Sequence, residues 1–559
     1  MSTISDAAGK FSIMAQPGQT LAISNVGFES KEITVGNDGT IDVQLNIVNS
    51  SLNEVVVIGY GTVRKKDVNP NALTSTDYWK TREQAYAGCT AIYNARINDG
   101  SYMRSFPGLT DSRGDDFTGN SPWLDLELTG KFIIPTNSDP VFWIWREFYL
   151  VINRSNQVLA NVSQYNESTL TADEKNRILG QAYFLRGLAY YNLATTFKVV
   201  PVITEPPLDQ NDYYAPTSTE EAVWEQIFSD LAAAEANLPL NYDNITGLDK
   251  GQKGRATKGA AAGLLGKSYL YRKDWARAQV QFEKFFNGPH QGIYSLQTDY
   301  RNNFSDVNEN NSESLFEVQF TEGAGTDFNW TGEPSTAWKQ VQAVSITYAM
   351  EGKGFSDYLP TTWIYNEFKK EKTIAGKSDP RLLATIASYE PDDNSILAYG
   401  AAWGNPLNTI YPRKYTNDGL GRPFETTESG INYRVLRYAD ILLMYAEVLN
   451  ETGKTPEAYP YIQQVRSRAL LPDLAVVKPG MSQTQMRDQL AHERALEFAI
   501  EGQRINDIIR WGWLYDAVKL AELKAHDADF NTWTPGNEYL PIPQTELDVN
   551  KNLLPNPAN

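Results

Sequence analysis

Residues Arg434 to Gly453 read RVLRYADILLMYAEVLNETG. The apolar and small residues Leu436, Ala439, Leu442, Leu443, Ala446 and Leu449 recur at steps of three and four, which places them on one face of an amphipathic helix. Gly453 stands where a left-handed residue would end that helix. The next stretch, TPEAYPYIQQVRSRA from Thr455 to Ala469, carries a second helical pattern, so the two form a helix hairpin with a very short turn. Such a unit cannot bury its apolar face alone. The same design recurs in Lys258 to Phe286, where a small-residue helix (KGAAAGLLGKSYLY), a turn at Lys273 and Asp274, and an aromatic helix follow one another. These are tetratricopeptide-like pairs, which gain stability by stacking. The reading is mainly α: a helical superhelix of about four such pairs, decorated by an irregular loop subdomain.

A second motif, HERALEFAIEGQRINDIIRWG from His492 to Gly512, follows the first. Together with RYADILLMYAEVLNETG it resembles the SusD/RagB family, the surface nutrient-binding lipoproteins of Bacteroidota. The likeness covers roughly Thr74 to Asn559. It implies a SusD-like fold and a non-catalytic function: binding of an oligosaccharide at the outward face of the outer membrane and its delivery to a SusC-like TonB-dependent transporter. Two alternatives stay open, a peptide-binding lid of the RagB type and a helical-repeat adaptor that binds proteins on its concave face.

The chain has 559 residues and a formal net charge of -18, with no run rich in Lys or Arg. Nucleic acid and anionic lipid are therefore poor candidate partners. Thirteen Trp and 31 Tyr supply flat apolar faces with polar tips, suited to packing and to sugar or peptide contact. One cysteine, Cys89, excludes an intramolecular disulfide framework and a thiolate cluster. Its context, Tyr-Ala-Gly-Cys, resembles a lipoprotein cleavage box, but the charged DYWKTREQA before it lacks an apolar run, so Cys89 reads as a buried helix cysteine. Neither a signal peptide nor a transmembrane helix is legible.

Ahead of the body, residues 1–50 alternate in short strand-like runs (GKFSIMA, TLAISNVGF, KEITVG, TIDVQLNI) separated by Pro17-Gly18 and Asn37-Asp38-Gly39 turns, which reads as a small β-meander. Residues 51–73 contain NEVVVIGYGTVRKK. This front segment resembles the amino-terminal extension of SusC-like transporters: a partial carboxypeptidase-regulatory-like module, then a TonB-box-like stretch in which Asn53 replaces the usual Asp. The body, 74–559, opens with a helix capped by Thr76. Helices are expected at Val141–Val162, Asp173–Thr196 and Glu220–Asn237, and a loop-rich insert spans 297–431, with a strand-like piece at Ser314–Gln319.

The chemistry-bearing residues are sparse. His290, His492 and His526 lie far apart outside any catalytic motif, and His492 reads as a helix-start contact or a salt-bridge member. The doublets Asp115-Asp116 and Asp392-Asp393 sit in polar loops, where adjacent side chains point apart and do not make an opposed acid pair. No cofactor motif occurs. A structural calcium is left open, with no motif to support it. Glu447, Arg466, Arg468, Glu493, Arg494, Glu497, Glu501, Arg504, Asp507 and Arg510 alternate in charge at helical spacing and read as ties between helices. The binding candidates are loop aromatics with polar neighbours, since sugar rings need faces to stack on and groups for their hydroxyls. They are Trp123, Asn120, Arg113 and Asp116 in RGDDFTGNSPW, Trp330 and Trp338 in DFNWTGEPSTAW, and, more weakly, Tyr358 and Trp403. Trp143, Trp145, Trp275 and Trp511 fall at helical period and read as core.

Overall fold

The computed structural model describes residues 78–322, 340–404 and 406–556, together with residues 10, 12–23, 31–37, 39–41, 43–44, 56–57 and 62–63 nearer the amino terminus. The chain divides into two compact units, Met1–Ala72 and Leu73–Asn559. In the first, Thr20–Ile23 pairs antiparallel with Lys31–Thr34. Two further expected strand pieces, around residues 12–15 and 40–44, form no strand at their described positions. Among the described residues of 1–50 the hairpin is the paired element, and Lys31 Nζ donates to Gln44 O at 3.3 Å.

Nine helices of the second unit carry its architecture: α1 (Arg82–Asn94), α2 (Asp139–Val162), α3 (Ala172–Phe197), α4 (Glu220–Asn237), α5 (Lys258–Tyr271), α6 (Trp275–Asn287), α7 (Tyr438–Glu451), α8 (Thr455–Arg468) and α9 (Gln483–Phe498). From α1 to α8 each packs on the next, and α9 lies on α7. The starts are written locally. Thr171 accepts from Glu174 N while the Glu174 carboxylate reaches back, a reciprocal cap, and Ser482 with Gln485 repeats it at α9. Thr81 caps α1 with Gln84; Thr76, the expected cap, lies outside the described residues. Gly453 takes φ +79° and ends the hairpin turn after α7, as its position predicts.

Close approach of α5 to its neighbours depends on Gly263. A Cβ there would lie 2.8 Å from Leu315 Cδ2, 2.9 Å from Leu436 Cδ2 and 3.0 Å from Ile441 Cδ1. Leu315 and Leu436 belong to a two-stranded sheet, Ser314–Val318 with Tyr433–Arg437, antiparallel with Tyr433 opposite Val318. This corrects the opening expectation. Arg434 to Arg437 are strand, and the helix starts only at Tyr438. His492 does not start its helix, since α9 begins nine residues earlier, at Gln483; it is the salt-bridge member the sequence also allowed, beside Glu367 and Glu371.

The alternating charges are ties, and they are sealed. Glu497 binds Arg381, Arg437 and Arg468, while Glu493 binds Arg381 and Arg466. Both carboxylates thereby join α9 to Arg381 and to α8, Glu497 also to the strand at Arg437, and their desolvation is offset by several charged hydrogen bonds. Trp145 is buried and Trp143 nearly so. Trp275 and Trp511 are only half-buried, and the Trp511 indole N–H donates to Glu447 at 3.0 Å. Burying one such large side chain stabilises the fold by roughly 1.5–3 kcal/mol. Cys89 is buried in α1, with Arg255 Nη1 3.7 Å from its sulfur, and burial pushes the thiol up to about 11.

Candidate binding surface

The stretch Phe117–Gly119 pairs antiparallel with Tyr358–Pro360, and Asn120 continues from it at the surface. Asn120 N donates to Asp357 O at 2.7 Å, and its Nδ2 donates to Ser356 O at 2.8 Å. Ser121 Oγ donates to Asp357 Oδ1 at 2.8 Å and accepts Trp123 N at 3.1 Å. These bonds fix the loop so that Trp123 opens the short helix Leu124–Gly130. The Trp123 indole is half-buried: one side meets Trp143 at 5.7 Å, and the Arg104 guanidinium lies 5.5 Å from its centroid. Arg104 is in turn held by Asp99, through Nε–Oδ1 at 2.9 Å and Nη2–Oδ2 at 2.6 Å. The ring is thus held in place while remaining partly exposed.

Phe355 joins this surface and was not legible from sequence. Its ring is 45% exposed, its N–H donates to Ile346 O at 2.7 Å, and the following residue, Ser356, sits at φ +55°. Ser356 and Asp357 are the partners of Asn120, so Phe355 and Trp123 flank one loop junction. The available signal was the Gly352-Lys353-Gly354 turn that lifts Phe355 outward. Trp330 and Trp338 lie outside the described residues. The positions that bound that segment are placed: Thr321 N donates to Gln340 O at 2.5 Å, and Ala343 N donates to Met103 O at 3.0 Å, next to Arg104.

Three nominated residues do not reach it. Arg113 is 1% exposed, donating to Leu109 O at 3.0 Å and Glu538 O at 2.7 Å, and burial lowers its guanidinium to about 10. The Asp116 carboxylate accepts Ile500 N at 3.2 Å; burial, with Asp111 and Asp115 beside it, pushes it up to about 8. Tyr358 is stacked on Phe117 at 5.5 Å inside the body. A side chain closed off from solvent cannot touch a dissolved sugar, so these three are structural. Trp403 is half-buried in another cluster, 6.5 Å from both Tyr389 and Tyr411, beside the Leu397–Ala402 hairpin.

The titratable groups elsewhere are bound inward. Asp115 pairs with Arg504 and His526, and the His526 ring stacks on Trp363 at 4.7 Å. His492 contacts Glu367 at 3.0 Å and Glu371 at 3.3 Å. His290 is buried, with its imidazole lowered by burial to about 4. Asp392 is exposed, and Asp393 accepts Ser378 N at 3.4 Å. Among the described residues, no three of His, Cys, Asp or Glu are arranged to hold a metal ion.

Residues 312–558 match the model described as the SusD family, and residues 69–270 match the model described as starch-binding, associating with outer membrane. The chain belongs to the SusD/RagB family. It is 27% identical over 508 residues to SusD-like protein P2 of Formosa agariphila, covering 87% of this chain and 94% of that one. A SusD superfamily protein of Bacteroides vulgatus superposes with a TM-score of 0.74 at 25% identity, over 86% of this chain and all of that one. A laminarin binding SusD-like protein superposes at 0.68 with 27% identity and the same coverage. Separately, 66 residues, 12% of this chain, are 50% identical to TonB-dependent receptor P26 of F. agariphila, of which they span 7%. No helix among the described residues of this SusD-family chain is long and apolar enough to cross a membrane.

Proposed function

We propose that this SusD-family protein captures an oligosaccharide at the outer-membrane surface and passes it unaltered to a SusC-like TonB-dependent transporter. The observation that carries the reading is the surface where Trp123 and Phe355 flank Asn120. Two partly exposed rings offer apolar surface for sugar C–H groups, and the exposed Asn120, whose Nδ2 is held by Ser356 O, keeps its amide oxygen to accept from a hydroxyl. The relatives support it, one of them being laminarin binding. Transfer to a transporter draws on the 66-residue likeness to a TonB-dependent receptor and on the family matches, which start only at residue 69. The front segment thereby reads as a transporter-derived module. The Asp115-Asp116 doublet is not a catalytic pair, since both are sealed and a glycosidase needs two carboxyls facing across an open cleft.

The test is a glycan array probed with the full chain, including laminarin-derived oligosaccharides, followed by calorimetry on Trp123→Ala and Phe355→Ala. A bound glycan whose affinity drops about ten-fold or more in both variants supports the proposal. Binding of peptides alone, or a glycan affinity that neither variant changes, overturns it.

A further inference from the structure

A second concave site lies at the far end of the helical hairpins. The loop Lys478–Ser482 is clamped by Tyr459, whose hydroxyl donates to Lys478 O at 2.7 Å and accepts Met481 N at 2.9 Å. Between this loop and α9 is a cavity of about 430 Å³. Lys478, Pro479 and Met481 form one wall, and Gln485, Asp488, Gln489 and His492 form the other. Those α9 positions fall at helical period, so one helix face lines the groove.

Gln489 is the unusual member. It is 3% exposed, its Oε1 accepts Lys478 Nζ at 2.6 Å, and its Nε2 donor has no partner. A buried amide N–H without an acceptor costs stability, and a native fold retains one only with a reason. Here the donor lines an open cavity, and the Lys478 ammonium stands beside it with further protons to give. The other groups do not compete. Both His492 nitrogens are taken by Glu367 and Glu371, and Asp488 stands exposed at the mouth, 3.3 Å from Lys519. Pro479 and Met481 give apolar surface to the body of a ligand.

We infer that this groove is a second binding site, distinct from the Trp123 surface, and that Gln489 and Lys478 together hold a carboxylate in it. A carboxylate presents two oxygens to an ammonium and an amide N–H side by side, whereas a neutral hydroxyl satisfies only one of them well. Two kinds of molecule supply this group: a uronate unit of an acidic glycan and the carboxyl end of a peptide.

The test is saturation-transfer NMR and calorimetry on the full chain with glucuronate, N-acetylalanine and, as neutral control, glucose. Glucuronate binding identifies the glycan source and N-acetylalanine binding the peptide source. Whichever carboxylate binds should be weakened about ten-fold by Gln489→Leu and by Lys478→Met, and left unchanged by Trp123→Ala. Gln489→Leu should melt no lower than wild type, since it removes an unpaired buried donor. If it does melt lower, the exposed Lys478→Met carries the test by itself. Failure of both carboxylates to bind, equal binding of glucose, or indifference to Lys478→Met overturns the assignment. Because this readout is independent of Trp123, its failure leaves the oligosaccharide proposal standing.

Discussion

Arg504 and Asp115 are 389 positions apart and meet inside the body, where Arg504 Nη2 donates to Asp115 Oδ2 at 2.8 Å. His526 Nε2 lies 3.0 Å from the same oxygen. Burial would raise this carboxyl, but the charge and hydrogen bonds of Arg504 outweigh it and hold the group at about 2. The pair anchors the RGDD stretch to the segment after α9 and so sets where Asn120 and Trp123 emerge.

Arg504→Met should therefore cost about 3–5 kcal/mol, because it leaves a buried acid without its cation. Urea unfolding at neutral pH measures this. The folded value of Asp115 lies below its unfolded one, near 3.9, so its contribution is present above pH 4 and is lost as pH falls toward 2. The variant should lack that part of the acid-side loss.

Asp116 behaves in the opposite sense. Its folded value, about 8, lies above the unfolded one, so its contribution is complete below pH 4 and declines as pH rises through 8. Asp111, its neighbour, is raised by burial to about 7 and acts in the same direction. The advantage of Asp116→Asn over wild type in urea unfolding should be smallest at pH 4 and grow as pH rises to 8.5.

Gly263→Val should destabilise the protein by about 1–3 kcal/mol, although removing a mid-helix glycine ordinarily helps. The added atoms would enter the space of Leu315, Leu436 and Ile441. Gly263→Ala gains helix propensity yet adds the same Cβ, so a lower melting temperature in both variants assigns the loss to packing.

On the Trp123 surface, Asn120→Ala should weaken a bound oligosaccharide by about 0.5–1.5 kcal/mol, the worth of one hydrogen bond. Trp403→Ala should leave the affinity for a trisaccharide unchanged, because Tyr389 and Tyr411 hold that ring in another cluster. Calorimetry on both variants checks the two outcomes.

The helical hairpins were legible because their determinants are local: the apolar spacing of α7, the threonine and serine caps, and Gly453 after the last turn. The strand at Tyr433–Arg437 was not. Its residues continue the apolar rhythm of the helix, and only pairing with Ser314–Val318, more than a hundred residues away, makes them extended. The aromatic loop at Trp123 was visible as a stretch of residue types; which of its members face solvent was not.

Composition and periodicity by themselves determined a stacked helical body and the loops rich in rings and amides. Tertiary structure alone decided that Arg113 turns inward to Glu538 O, that Asp116 faces Ile500 N, and that Asn120 binds the carbonyl of Ser356, the residue after Phe355. The reason is physical: helix formation depends on neighbours three and four positions away, whereas exposure depends on partners hundreds of positions distant, which no local pattern records.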